Sequence, residues 1–170
     1  VYERLGMSFD NYYPESRVGE YGIKTVKEGL EEGIFEESDG AVVYPGEEFG
    51  LHTRVFINSL GLPTYECKEL GLAPVKALDG AYDRSLIITG NEIDEYFKVL
   101  LHAMKRVVPE LGERTRHMSH GMVVLPSGKM SSRTGNVITA AELLDEAKQR
   151  ITAVLSERGD AFDENSREEI

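Results

Sequence analysis

Between Leu86 and Leu125 the chain alternates in a way that few architectures can accommodate. The continuous apolar run Leu86-Ile87-Ile88 ends at Gly90, and a helical stripe follows it. Ile93, Tyr96, Phe97, Leu100, Leu101, Met104 and Val108 recur at the three- and four-residue spacing of one helix face. Pro109 and Gly112 close that helix, and a second apolar run, Met122 to Leu125, reads as another short buried strand. Strand, helix and strand in this order predict a parallel sheet with right-handed crossovers. An uninterrupted apolar run is also what a strand covered on both faces needs. The expected fold class is therefore α/β, a Rossmann-like parallel sheet.

The flanking segments are consistent with that class. Ile23, Val26 and Leu30 predict an amphipathic helix from Glu20 to about Gly29–Gly33, and Gly40 to Tyr44 reads as a strand turned by Pro45-Gly46. Arg54 to Asn58 is a further apolar run. Thr64 can cap a helix that starts at Tyr65 and is broken by Gly71 and Pro74. Ahead of these, Gly6, Pro14 and Gly19 act as breakers, and Tyr2, Leu5, Phe9, Tyr12 and Tyr13 are expected to pack against the domain. The acidic run Glu31, Glu32, Glu36, Glu37 and Asp39 reads as a solvated face. Near the other end, Thr139 and Glu142 form a capping box, with Ile138 and Leu143 placed to staple it. Leu144, Ala147, Ile151, Val154 and Leu155 carry that helix towards Gly159, and a polar tail, Asp160 to Ile170, begins a further one.

With 170 residues and 41% hydrophobic content, the chain can bury one good core plus a short appendage. A formal charge of −11 argues against gripping nucleic acid by bulk electrostatics. The lone Cys67 excludes an internal disulfide and fits a reducing cytoplasm. No run approaches membrane-spanning length, and no signal-peptide pattern is present. The chain opens on Val1 and stops at Ile170 just after the acidic Glu164–Glu169 segment, which reads as a piece of a longer protein.

The chemistry concentrates in one loop. Pro126-Ser127-Gly128 interrupt regular structure, and Lys129-Met130-Ser131-Ser132-Arg133-Thr134-Gly135-Asn136 follows, with a cation near each end and small residues between. A strand, such a loop and then a helix is how α/β sheets present ligand-handling groups at their carboxyl edge. Lysine and arginine there can screen phosphate charge, and small residues let backbone amides approach the oxygens. The plainer alternative is a solvated basic turn. A P-loop fits poorly, because Met130 stands where Ser or Thr is required and no glycine lies five residues before Gly128.

Lys-Met-Ser-Ser-Arg followed by x-Gly-Asn resembles the second signature of class I aminoacyl-tRNA synthetases. The rest of the chain resembles the arginyl-tRNA synthetases. The supporting segments are Leu5-Gly6 to Phe9-Asp10 with Glu15-Ser16, Gly40 to Val43, Pro63-Thr64-Tyr65 with Lys68-Glu69-Leu70, Asn91-Glu92 with Tyr96-Phe97-Lys98, and His120-Gly121-Met122. The resemblance implies the second half of a catalytic domain over residues 1–138 and, over 139–170, a helix leading into a tRNA-contacting region. The His-x-Gly-His half would lie upstream. His117-Met118-Ser119-His120 does not replace it, having serine where glycine is needed and a position directly before the last expected strand. Zinc binding by the two histidines lacks further ligands nearby.

What the resemblance implies for individual residues is specific. Lys129, Ser131, Ser132 and Arg133 would act in catalysis, and His120, Gly121, Met122, Lys129 and Met130 would hold ATP, whose Mg²⁺ arrives with it. Tyr65, Glu69 and Ile93 occupy positions used for substrate arginine. Tyr65 and Glu69, four residues apart on a helix, share one face, offering a ring and a carboxylate to a guanidinium. Read without the family, they are an exposed tyrosine beside a solvated glutamate. Three departures stand out. Glu69 replaces the family's usual aspartate, Ile93 its common glutamine, and Ser132 the lysine of the general class signature. The partners implied are arginine and tRNA(Arg), with no membrane and a cytoplasmic monomer expected. A fragment this size should not charge tRNA alone. Two rivals are a non-catalytic synthetase-derived binding module and another class I synthetase.

Overall fold

The computed structural model describes residues 1–122 and 138–158. It divides into two units: Asn11–Met122, and Val1–Asp10 grouped with Val123–Ile170. The expected strand at Met122 to Leu125, the loop Lys129 to Asn136 and the tail Asp160 to Ile170 lie, apart from Met122, outside the described residues.

The larger unit opens with helix α1, Glu15–Glu31, starting ahead of the expected Glu20. Pro14 precedes it in extended conformation, where a missing N–H does no harm. Gly19, read from sequence as a breaker, instead lies inside the helix and is buried with Gly22. The reason is a close crossing with helix α2, Tyr65–Asp79. A Cβ on Gly22 would meet the Cys67 carbonyl oxygen at 2.0 Å, and one on Gly71 would meet the Gly22 nitrogen at 2.3 Å. Only glycine permits backbones this near. The break expected at Gly71 and Pro74 does not occur, because Gly71 faces α1 and α2 continues through Pro74 to Asp79.

Three strands follow α1: β1 (Glu36–Ser38), β2 (Ala41–Tyr44) and β3 (Arg54–Ile57), in the order β1-β2-β3. Both pairings are antiparallel. Asp39 (φ 48°) and Gly40 (φ 76°) make the two-residue turn between β1 and β2 that a right-twisted hairpin favours. β1 comes from the acidic run; its residues are all exposed, so no alternation betrayed it. These three strands do not belong to the parallel sheet of the expected α/β fold, which forms from a separate pair. The links joining these strands are too short for a parallel crossover, which needs a dozen or more residues.

The parallel element is a separate pair, β4 (Ser85–Gly90) with β5 (Thr115–His120), in register from Ser85 opposite Thr115 to Gly90 opposite His120. The connection is α3, Asp94–Val107, followed by α4, Pro109–Arg114. α3 stops just before Pro109, as the sequence predicts, and Pro109 occupies the first turn of the short helix α4. The segment His117–His120 thus lies inside strand β5. Burial on both faces also fails: Leu86 is 55% and Ile88 67% exposed. Ile87, between them, packs on the core.

The core is continuous across α1, the meander, α2 and α3, centred on Val26, Tyr44, Phe56, Leu70, Leu100 and Met104. The stripe read for α3 is buried as expected, with Tyr96, Phe97, Leu100 and Met104 all inaccessible. The leading aromatics do not behave as expected. Tyr2, Phe9 and Tyr12 are exposed, and Tyr2 and Phe9 pack edge-on with ring centres 4.9 Å apart.

In the smaller unit, helix α5 spans Ala140–Arg158. The capping box is formed: the Thr139 backbone N–H donates to Glu142 Oε2 at 2.7 Å, and the Glu142 N–H donates to Thr139 Oγ1 at 3.2 Å. The Thr139 N–H and hydroxyl, both donating to the Glu142 carboxylate, hold it below its ordinary range. Arg4 reaches Asp145 at 2.8 Å.

Candidate active site

Thr64 fixes where α2 begins. Its Oγ1 accepts from the Cys67 N–H at 3.4 Å while its own N–H and hydroxyl donate to the Phe56 carbonyl at 3.0 Å each. The first turn of α2 is therefore fastened to β3, and the glycine crossing fastens its middle to α1. On this held helix Tyr65 and Glu69 stand together, as their spacing predicted.

Burial, with the negative charge of the neighbouring Glu69 carboxylate, pushes the Tyr65 phenol up to about 12. Tyr65 is nonetheless 41% exposed, so one side of its ring remains open. Burial raises the Glu69 carboxyl above its ordinary value, opposed by the neighbouring Tyr65 and by the charge of Lys76. Lys76 is lowered by its own burial and raised by Glu69. Its Nζ donates to Ser85 Oγ at 2.6 Å, at the start of β4.

A second wall comes from α3. The Tyr96 ring lies 5.2 Å from that of Tyr65, and the Arg54 guanidinium carbon sits 5.6 Å from the Tyr96 centre. Arg54 also pairs with Glu66 at 3.5 Å. The Tyr96 hydroxyl is buried without a hydrogen-bond partner, and burial raises it strongly. Ile93, just ahead of α3, is half-buried and packs against the core. It brings no polar atom to this face.

At the carboxyl end of the parallel pair lie the other described site residues. His120 ends β5, is exposed, and places Nδ1 2.8 Å from the Gly121 carbonyl oxygen. Gly121 and Met122 follow, both exposed, and the Met122 sulfur lies so close over Gly90 that a Cβ there would meet it at 2.4 Å. His117 goes elsewhere: its ring stacks on Phe97 with centres 3.9 Å apart, and Nε2 lies 2.7 Å from Thr89 Oγ1. Residues three apart on a strand face opposite sides, so the two histidines cannot converge on one ion. Among the described residues no group of three or more His, Cys, Asp or Glu side chains could hold a metal. Lys129, Met130, Ser131, Ser132 and Arg133 lie outside the described residues.

Sequence reasoning missed Lys76, Arg54 and Tyr96 as neighbours of this face. Lys76 was legible in principle, being seven residues from Glu69 on the same stripe. Tyr96 was read as core, and its ring is indeed buried; only the fold shows which aromatic it meets. Nothing local marks Arg54.

The assembly is a ring and a carboxylate presented together on a fixed helix, with a parallel strand pair nearby in the same unit. Residues 1–169 match the family described as tRNA synthetases class I (R), catalytic domain. The arginine–tRNA ligase of Porphyromonas gingivalis is 34% identical over 169 residues, covering 99% of this chain and 28% of that protein. That of Treponema denticola is 34% identical over 160 residues, 94% of this chain and 27% of that protein. The chain thus spans little more than a quarter of the length of these curated relatives. In structure it resembles the arginyl-tRNA synthetase of Plasmodium falciparum, with TM-score 0.68 and 17% identity over 92% of this chain and 26% of that one. The Thermus thermophilus arginyl-tRNA synthetase gives 0.60 and 21% over 87% of this chain and 31% of that one. The shared fold, and the family match along nearly every residue, place this chain in the class I (R) tRNA synthetase catalytic-domain family.

Proposed function

We propose that the chain supplies the arginine-holding part of an ATP-dependent arginine–tRNA ligase, with the first signature of the nucleotide site contributed by sequence beyond it. The observation that carries this reading is the Tyr65–Glu69 pair, one turn apart on α2 and walled by the Tyr96 ring. A flat ring and a partly buried carboxylate suit a guanidinium, which is planar, always charged and bonded best by paired acceptors.

In the reaction, the arginine carboxylate oxygen bonds to the α-phosphorus of ATP as the bond to the bridging β-phosphate oxygen breaks. Arginyl-adenylate and pyrophosphate result. A hydroxyl of the terminal tRNA ribose then takes the arginyl group and AMP leaves. No proton need be taken from the attacking carboxylate, so positioning and charge stabilisation carry the rate. Glu69 and Tyr65 fix the guanidinium end of the substrate. His120, Gly121 and Met122, at the carboxyl end of β5, are assigned to the adenosine side. Lys129, with Met130, Ser131, Ser132 and Arg133, is assigned to the phosphates by its match to the class signature. Mg²⁺ is the companion of ATP, neutralising phosphate charge. The α5 segment is assigned to the tRNA-contacting region. The same reading expects a cytoplasmic monomer; among the described residues no helix is long and apolar enough to cross a membrane.

Arginine-dependent ATP–pyrophosphate exchange in the full-length protein, with tRNA present, tests the assignment. Replacing the carboxylate in Glu69→Gln should lower kcat/KM for arginine by at least about a hundredfold, as loss of a buried counter-charge does. Thermal stability should be kept or raised, because Glu69 is charged against the cost of burial. Wild-type exchange by this variant would remove the arginine site from α2.

A further inference from the structure

Arg54 has no role in the site as described so far, yet it touches both helices that build it. Its backbone pairs with that of Tyr44 in the meander, which fixes the point from which the side chain starts. Its guanidinium reaches Glu66 at 3.5 Å in the first turn of α2, and the Glu66 side chain is only 13% exposed. That turn is itself fastened to β3 by Thr64, whose hydroxyl lies 2.8 Å from the Val55 carbonyl oxygen as well as 3.0 Å from that of Phe56. The pair is therefore held at both ends by backbone, unlike a loose ion pair between two surface side chains. The same guanidinium lies over the Tyr96 ring of α3, its central carbon 5.6 Å from the ring centre.

Resting on the arginine-site reading above, we propose that Arg54 is a positioning residue: tethered by Glu66, its guanidinium holds the Tyr96 ring in the place where that ring walls the substrate. The need follows from Tyr96 itself. A buried tyrosine is ordinarily fixed by a hydrogen bond at its hydroxyl, yet the Tyr96 hydroxyl finds none among the described residues. The placement of the ring is left to what touches it. Phe97 meets it edge-on with centres 5.0 Å apart, but Phe97 is its chain neighbour and travels on the same helix. Tyr65 lies 5.2 Å away and is 41% exposed, so it gives the ring no firm backing. Arg54 ties the ring to a different element, β3, by a charged contact. A cation is drawn to an aromatic ring by the ring's quadrupole, and the more strongly where water is thinned out. Glu66 has a second effect. By neutralising Arg54 it keeps a bare positive charge from standing beside a site meant for a guanidinium.

The test is arginine-dependent ATP–pyrophosphate exchange in the full-length protein with tRNA, with KM for arginine, KM for ATP and kcat measured together. Arg54→Met keeps an unbranched stem and removes the cation. It should raise KM for arginine roughly tenfold while kcat and KM for ATP stay within about twofold of wild type. Arg54→Lys, which keeps a charge near the ring, should recover much of the loss. Tyr96→Leu removes the ring, and adding Arg54→Met to it should then cost nothing further, because Arg54 acts through that ring. An unchanged KM for arginine in Arg54→Met, a matching rise in KM for ATP, or additive losses in the double variant would overturn the proposal and leave Arg54 a structural cation. If Tyr96→Leu loses arginine use while Arg54→Met is wild type, the wall stands and only the role of Arg54 falls. If Glu69→Gln is itself wild type, the site reading and this inference fall together. Should Arg54→Met or Tyr96→Leu not fold, Glu66→Gln carries the test by loosening the tether: a smaller rise in KM for arginine supports the proposal, and an unchanged KM overturns it.

Discussion

Helices α2 and α5 start from similar sequence material and end in opposite environments. Each begins at a threonine cap, and each carries apolar residues at helical spacing. α2 buries Cys67, Leu70, Gly71 and Ala73. α5 is four residues longer (19 against 15), yet no described side chain on it is fully buried, and Leu143, Ile151 and Val154 are 41–47% exposed. Length and periodicity therefore do not decide which helix is held. α2 owes its fixed place to two glycines, Gly22 and Gly71, that let its backbone meet that of α1. A helix so held can carry charged groups at low accessibility, as Glu69 and Lys76 show; α5 has its cap and the Arg4–Asp145 pair.

Mutations can break or sharpen this contrast, followed by denaturant unfolding of the full-length protein. Leu70→Ala should have the largest effect, about 2–5 kcal/mol, because a fully buried leucine leaves a cavity. Gly71→Ala should come next. It gains about 1 kcal/mol of helix propensity but forces a Cβ against the α1 backbone, for a net loss on the order of 1–3 kcal/mol. KM for arginine should rise with it, since the helix that carries Glu69 must shift. A stabilised Gly71→Ala protein would show that the crossing yields freely, and the contrast with α5 would collapse.

These same elements show where sequence was sufficient. The capping threonines, the α3 stripe and the pairing of Tyr65 with Glu69 are local facts, set by spacing within one element, and each appears in the fold. The glycines were misread because a helix-breaking residue and a helix-contact residue look alike until the partner helix is known. Strand direction was misread for a related reason: Ala41–Tyr44 and Arg54–Ile57 look the same whether neighbours run parallel or not. Leu86 and Ile88 carry the apolarity of a doubly covered strand, and their exposure is a property of what surrounds them. The loop from Lys129 to Asn136 pointed to the synthetase class, and the segments spread along the rest of the chain to its arginyl family, from side chains alone.

Two smaller effects complete the comparison. Thr139→Ala removes the α5 cap and should cost about 1 kcal/mol, read as faster hydrogen exchange confined to the first turns of that helix. Ile151→Ala should cost less than Leu70→Ala, since Ile151 is 41% exposed while Leu70 is fully buried. A loss near that of Leu70→Ala would mean that α5 is covered in the full-length protein.

Pro74 gives α2 a mechanical character beyond its contacts. A helix resists bending through its ladder of backbone bonds, and a proline at position 74 lacks the N–H that would close the rung on the Leu70 carbonyl. The stiff segment bearing Tyr65 and Glu69 is clamped along α1; the segment beyond the missing rung bears Lys76 and is tied to β4 through Ser85. A load arriving through β4 would flex α2 at Pro74 more readily than it would slide α2 along α1. Such flexing would carry Lys76 along with β4 while Tyr65 and Glu69 stay with α1.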